Sequence, residues 1–270
     1  MGFPPRVLLL GGHGKVSQLF TRIALARSWH LTSVIRDPAQ KPAIIALGSS
    51  QPGNLEVLVS NVEEVKTESQ AQDVISSTKP DYIVWSAGAG GKGGPERTDA
   101  IDHVACIAFI QAAAATNSVS KFLLVSYLGS RRSKASWWRE DDWQRVQSVN
   151  DGVLKNYYPA KLAADECLTA IGRKRGSGFA AICLRPGSLS DEEDESLVSL
   201  GKTQGSGKIR RIDVARVAAE LLEAQNITST WLDLLEGQET VKNAVKRCVD
   251  DGVDSIEGED VEDMKKRWSL

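Results

Sequence analysis

The stretch Arg6 to Gly14, RVLLLGGHG, constrains this chain more than any other. It is an unbroken apolar run, preceded by Pro4-Pro5, that breaks into a glycine turn and then an amphipathic segment from Lys15 to Arg27. A run without polar alternation reads as a parallel strand covered on both faces and feeding a helix. Glycines at such a junction let backbone N–H groups approach an anion, and the helix N-terminus adds about half a positive charge there. The spacing is Gly11-x-x-Gly14-x-x-Ser17, with Gly12 adding slack. No Gly-Lys-Ser/Thr follows, so this is not a P-loop. A strand-to-helix turn that binds nothing shares the pattern, and Ser17 stands where a dinucleotide fingerprint has its last small glycine.

A chain of 270 residues is long enough to bury about three quarters of its unfolded surface, so no disulfide or metal staple is needed. A net charge of -2 and a pI near 6.0 give no reason to expect nucleic acid or an anionic membrane as partner. Cys106, Cys167, Cys183 and Cys248 lack C-x-x-C spacing and read as reduced core residues. No leader pattern and no membrane-length apolar window is visible, so a soluble, cytoplasmic protein is expected.

The next β-branched run, His30 to Arg36, reads as a second strand ended by Asp37-Pro38. Arg36 falls about 20 to 25 residues past the glycine turn, where an arginine accommodates the 2′-phosphate of NADP and a carboxylate would grip the ribose of NAD. This favours NADP, with Asp37 alongside as the counter-argument. Further strands are expected at Leu55–Ser60, Asp81–Ser86, Lys121–Val125, Phe179–Arg185 and Trp231–Leu235. Helices are expected at Glu63–Ser77, Thr98–Asn117, Pro159–Ile171, Ile212–Ala224 and Gln238–Val249. Strands alternating with helices predict an α/β fold, a doubly wound parallel sheet. The glycine-rich run Ala87 to Gly94 follows a strand, where open sheets bind ligands.

Between Gly129 and Asn156 the alternation breaks, and Trp137, Trp138 and Trp143 sit among charges. A lid folded over a substrate pocket and a surface excursion anchored by its aromatics are both open readings. The acidic run Asp191 to Glu195 and the stretch Gly201 to Gly207 read as loops. One domain is expected over residues 1–250, with 251–270 a loosely attached acidic tail carrying one short helix near Val261 to Trp268.

Tyr157-Tyr158-Pro159-Ala160-Lys161 puts a phenol and an ammonium on one helix face. A nearby lysine and an oxidised nicotinamide would lower the phenol's pKa from near 10 toward one useful for proton transfer. Ser126, at a strand tip, could hold a substrate oxygen. Pro159 disfavours helix at Tyr158, and Tyr158 is the competing phenol.

The segments GGHGKVSQLF, VIRDP, VWSAGAGGKGG, KFLLVS, NYYPAKLAADECL, LRPGSL and IRRIDVA together resemble the atypical short-chain dehydrogenase/reductases of small, NAD(P)-binding type, from about Arg6 to Glu236. The resemblance implies one NAD(P)-binding Rossmann fold. It places Gly11, Gly12, His13, Gly14, Lys15 and Val16 at the pyrophosphate, Arg36 at the 2′-phosphate and Asn61 at the adenine. It puts Ala87, Gly88 and Ala89 at the adenosine, Ser126, Tyr157 and Lys161 at the nicotinamide, and Arg185, Pro186 and Gly187 where the pocket closes. Two departures stand out: Ser17 for glycine, and GRKRGSG (172–178) lengthening the link before the sixth strand.

Three functions follow as expectations. The first is an NADP-dependent oxidoreductase acting on a small carbonyl or quinone-like molecule through Tyr157, Lys161 and Ser126. The second is a non-catalytic NADP-binding regulator that docks a protein through its tryptophans, and the third is an isomerase or epimerase. A monomer or homodimer is expected, without nucleic acid, membrane or metal.

Overall fold

The computed structural model describes residues 4–90, 93–192 and 197–269. Gly91 and Lys92 of the glycine-rich run, and Glu193 to Glu195 of the acidic run, lie outside the described residues.

The opening run forms β1 (Arg6–Leu10), followed by α1 (Lys15–Ala26) and β2 (His30–Ile35). Val7 and Leu9 join one apolar layer while Leu8 and Leu10 join the other, which is why the strand carries no polar alternation. The chain continues through α2 (Lys41–Ala46), β3 (Asn54–Val59), α3 (Glu68–Thr78) and β4 (Tyr82–Trp85). Then come α4 (Gly94–Thr98), a π-helical segment (Asp99–Ala105) and α5 (Cys106–Ala115), leading to β5 (Lys121–Val125).

Past α6 (Glu140–Asp151) and α7 (Tyr157–Arg175) lie β6 (Ala180–Pro186), β7 (Ser188–Ser190), β8 (Leu197–Gly201) and β9 (Lys208–Arg210). The chain ends with α8 (Arg211–Glu223), β10 (Thr230–Glu236), β11 (Glu239–Thr240), α9 (Val241–Asp250) and α10 (Val261–Arg267).

The main sheet runs β11-β8-β10-β6-β5-β4-β1-β2-β3. All pairings from β3 to β10 are parallel, and β8 is antiparallel to β10 and β11. From β1 the chain first extends the sheet toward β3 and then resumes on the other side with β4. That reversal opens a crevice at the carboxyl ends of β1 and β4.

Several expectations are corrected. Pro159 does not delay α7, which begins at Tyr157, because a proline in the first turn removes only an N–H that has no helical acceptor. At the other end α7 runs on to Arg175, for a Cβ on Gly172 would lie 2.4 Å from the Ala181 Cβ, so this glycine packs the helix onto β6. The loop expected at Gly201 to Gly207 is present between β8 and β9, with Gly201 the last residue of β8.

The segment after Asp250 is not loosely attached. Ser255 and Met264 are fully buried, the Ser255 N–H donates to the Trp231 carbonyl at 2.9 Å, and α10 packs on α7. The Arg131 guanidinium, itself buried, donates to the carbonyls of Ser255 and Glu257. No helix among the described residues is long and apolar enough to cross a membrane.

Candidate nicotinamide coenzyme site

At the end of β1 the backbone of Gly11 takes φ +87°, and a Cβ there would lie 2.5 Å from the Ala87 Cα. Glycine is therefore required both by conformation and by the close approach of the chain leaving β4. Gly14 is the N-cap of α1 and supplies no side chain, so the first-turn amides of Lys15, Val16 and Ser17 are left for an anion. Ser17 is fully buried against Gly14 and fits where a third glycine was expected.

Other residues of the expected cradle serve the scaffold. The Gly12 N–H is bonded to the Val34 carbonyl at 2.8 Å, and its Cα packs against Ser33. Val16 packs into the apolar layer, and the Lys15 ammonium pairs with Asp191 at 2.6 Å.

From this turn a cleft of about 230 Å³ runs over Gly11, His13, Gly14, Ala87 and Gly88 to Arg36 and Asn61. Beside Arg36, the Asp37 carboxylate accepts the Ala39 N–H at 2.9 Å and caps the turn that follows. Asn61 caps its own turn, accepting the Glu63 N–H and donating to Glu64, while still bordering the cleft. Ala89 lies beneath the cleft: it is buried, and its N–H is given to Asp102 Oδ2 at 3.0 Å. A Cβ on Gly88 would lie 3.0 Å from Asp102 Oδ1, so the backbone runs close over this carboxylate here.

Beyond the ends of β5 and β6 a second pocket, of about 310 Å³, is walled by Tyr127, Leu128, Val146, Val149, Leu154, Tyr157 and Pro186, with Gly187 at its rim. Tyr157 packs with its ring centroid 5.4 Å from that of Tyr127, the rings tilted by 46°, and the Tyr127 hydroxyl donates to Asn150 at 2.8 Å. Burial, reinforced by the carboxylates of Asp102 and Asp165, holds the Tyr157 phenol well above its usual pKa. The expected lowering by Lys161 is not seen. Lys161 is 1% exposed and its ammonium donates to the Val125 carbonyl at 2.9 Å, while Ser126, 4% exposed, donates to Asp165 at 2.6 Å. The competing phenol, Tyr158, donates its hydroxyl to the Arg131 carbonyl at 3.0 Å.

Arg185 does not close the pocket. It is 0% exposed, sits 2.9 Å from Asp233 and 3.3 Å from Asp165, and donates to the carbonyls of Leu128 and Ser130. Its function is indirect: it pins the loop whose residues 127–129 form one wall. Burial pushes Asp165 up and Asp233 up to about 6, opposed in both by Arg185.

The tryptophan-rich segment borders the pocket through α6, not through its tryptophans. The indoles of Trp137 and Trp138 both donate to the Thr203 carbonyl, at 2.8 and 2.9 Å, and both lie against the Arg131 guanidinium. Trp138 is buried by these contacts, which leaves it no surface to offer a partner protein.

The sequence matches the family described as NAD(P)H-binding over residues 11–225, most of the chain and all of the glycine cradle, cleft and pocket described above. The chain belongs to that family. This NAD(P)H-binding chain is 29% identical over 252 residues to a UPF0659 protein of Schizosaccharomyces pombe, across 92% of this chain and 96% of that one. It is 28% identical to an uncharacterized sugar epimerase, YhfK, of Bacillus subtilis, across 90% and 99% of the two chains. Among solved structures it is similar to a putative NAD-dependent epimerase/dehydratase from Bacillus halodurans, with TM-score 0.70 and 27% identity over 90% of this chain and 99% of that one.

Sequence reading of this NAD(P)H-binding protein missed Asp102, Asp165 and Arg97. For Asp102 a signal existed, since it shares an otherwise apolar helix face with Ala105, Cys106 and Phe109. Asp165 follows Lys161 by one helical turn, inside a segment buried almost all round. Arg97 lies just past the glycine-rich run and lines the cleft, but nothing in its spacing distinguishes it from a solvated charge.

Proposed function

We propose that this protein is an NADPH-dependent reductase of a small, largely apolar carbonyl or quinone-like compound, with Tyr157 as the proton donor. The observation that carries this reading is the apolar pocket beside Tyr157. Its polar side chains are largely spoken for: Asn150 bonds Tyr127 and Gly129, and Arg145 bonds Asp142 and Ser206. A sugar would find few free partners for its hydroxyls there, and unpaired buried polar groups oppose binding. A flat apolar ring would fill the same space by burial alone.

Bound across the glycine cradle, the coenzyme would supply the hydride. The chain's part is to hold the substrate carbonyl near Tyr157 and give its oxygen a proton. A phenol kept protonated by burial suits that direction, since reduction needs an acid at the outset and oxidation needs a base. Arg36 at the cleft edge, with Asp37 turned away, supports NADPH over NADH. Lys161 and Ser126 stand one layer deeper and hold the end of β5 behind Tyr157.

The names of the two Bacillus relatives favour a second reading, epimerisation with internal recycling of the coenzyme, in which Tyr157 would act first as a base. A panel of quinones, aldehydes, flavins and nucleotide sugars separates the two. Net NADPH oxidation with the apolar members, slower with NADH, supports reduction. Sugar conversion without net NADPH loss overturns it.

A further inference from the structure

At the open end of the cleft, three charged side chains from three separate segments converge. Glu63, in the turn after β3, sets Oε2 3.0 Å from Arg97 Nε and 3.8 Å from Arg36 Nη1. Both arginines line the cleft. Arg36 comes from the end of β2, and Arg97 from α4, just past the glycine-rich run. Two guanidinium groups thus converge on this one carboxylate. Glu63 is 30% exposed at its side chain, so it can turn to water at small cost once a stronger anion arrives.

We propose that Glu63 is a resident stand-in for the 2′-phosphate of NADPH, and that Arg97 joins Arg36 as a second ligand of that phosphate. The inference rests on the coenzyme reading above and adds to it the pair that sets NADPH against NADH. A phosphomonoester carries about -1.5 to -2 charge and three acceptor oxygens, where a carboxylate carries one charge and two. It therefore engages both guanidinium groups better than Glu63 does. When the ribose bears only a 2′-hydroxyl, Glu63 stays paired with Arg97 and neutralises it. The unphosphorylated coenzyme then meets no bare cation pair, and the phosphorylated one gains two ligands by displacing one.

Titration calorimetry of the full chain with 2′,5′-ADP and 5′-ADP tests this without turnover. Arg97→Ala should weaken 2′,5′-ADP about tenfold and leave 5′-ADP within about twofold. Glu63→Gln should tighten 2′,5′-ADP about threefold to tenfold without tightening 5′-ADP. The ratio of NADPH to NADH dissociation constants, read by nucleotide fluorescence, should move in opposite directions in the two variants. Thermal melts and Arg97→Lys control for folding. Equal weakening of both ADPs by Arg97→Ala, or no tightening in Glu63→Gln, overturns the inference. If the unaltered protein binds neither nucleotide, the coenzyme reading falls too; if Arg36→Ala alone weakens 2′,5′-ADP, only the Glu63–Arg97 inference falls.

Discussion

The Ser126 hydroxyl donates to the buried Asp165 carboxylate at 2.6 Å, so the proton that a substrate carbonyl would want from Ser126 is already committed. Asp165 in turn faces Arg185, and Arg185 faces Asp233, a line of ionisable groups with no exposed side-chain surface. Ser126→Ala should therefore act first on stability, lowering it by about 1–3 kcal/mol as Asp165 loses a donor. Denaturant unfolding reads the loss, and coenzyme affinity should stay within a few-fold of the unaltered protein.

Tyr157→Phe removes the proposed proton donor and leaves the ring packed against Tyr127. Turnover with the best acceptor should fall by roughly a hundredfold or more, with the NADPH dissociation constant unchanged. Tyr158→Phe, which loses only the bond to the Arg131 carbonyl, should keep most of the rate. Equal rates for Tyr157→Phe and the unaltered protein would remove Tyr157 from the chemistry.

Asp233 gives the fold a distinct pH response. Burial raises its folded pKa from an ordinary 3.8 to about 6, so the native state takes up this proton before the unfolded chain does. Its contribution therefore grows as pH falls through about 6 and is complete below 3.8. Melting curves of the unaltered protein and Asp233→Asn between pH 7 and pH 5 should show the difference shifting toward the unaltered protein at the lower pH.

Gly12 and Gly14 should separate folding from binding. A Cβ on Gly12 would fall 1.9 Å from the Ser33 Oγ, so Gly12→Ala should destabilise the protein outright. Gly14 has extended backbone at φ -62°, ψ 149°, which aspartate adopts readily as an N-cap. A Cβ on Gly14 would lie 3.3 Å from the Gly11 carbonyl oxygen, so Gly14→Asp should fold after a small local shift, while its carboxylate takes the amides and repels the pyrophosphate. Calorimetry should then show coenzyme affinity reduced by about a hundredfold or more.

Met264, fully buried between α10 and its neighbours, tests the segment after Asp250. Met264→Ala should cost about 2–5 kcal/mol, and Met264→Leu under about 1.5. A cost near zero for both, read from urea midpoints, would return this segment to the status of a tail.

Much of the fold was written in local pattern. The unalternating run at Val7 to Leu10, the glycine turn and Arg36 on its strand end each follow from rules acting within a few residues. What escaped the sequence was what distant segments do to one another. The family resemblance put Arg185 at the mouth of the pocket, yet partners from Leu128, Ser130, Asp165 and Asp233 draw it inside. Residues 251–270 looked loosely attached because the stretch is acidic and low in apolar content. Arg131 and Arg173 supply anchors for them that no local window contains. The tryptophans were ambiguous for the same reason, since their acceptor, Thr203, lies more than sixty residues away.

Tyr157, Lys161 and Asp165 lie at successive four-residue steps along α7, so one rigid rod carries the pocket's phenol and the charges beneath it. Drift on that wall is heavily taxed, because moving any of the three disturbs the packing of the other two. The α6 wall, with Val146 and Val149 between Arg145 and Asn150, carries none of the buried charges. Descendants of this protein that acquire a new substrate repertoire should do so by exchanging side chains on α6 while α7 stands still.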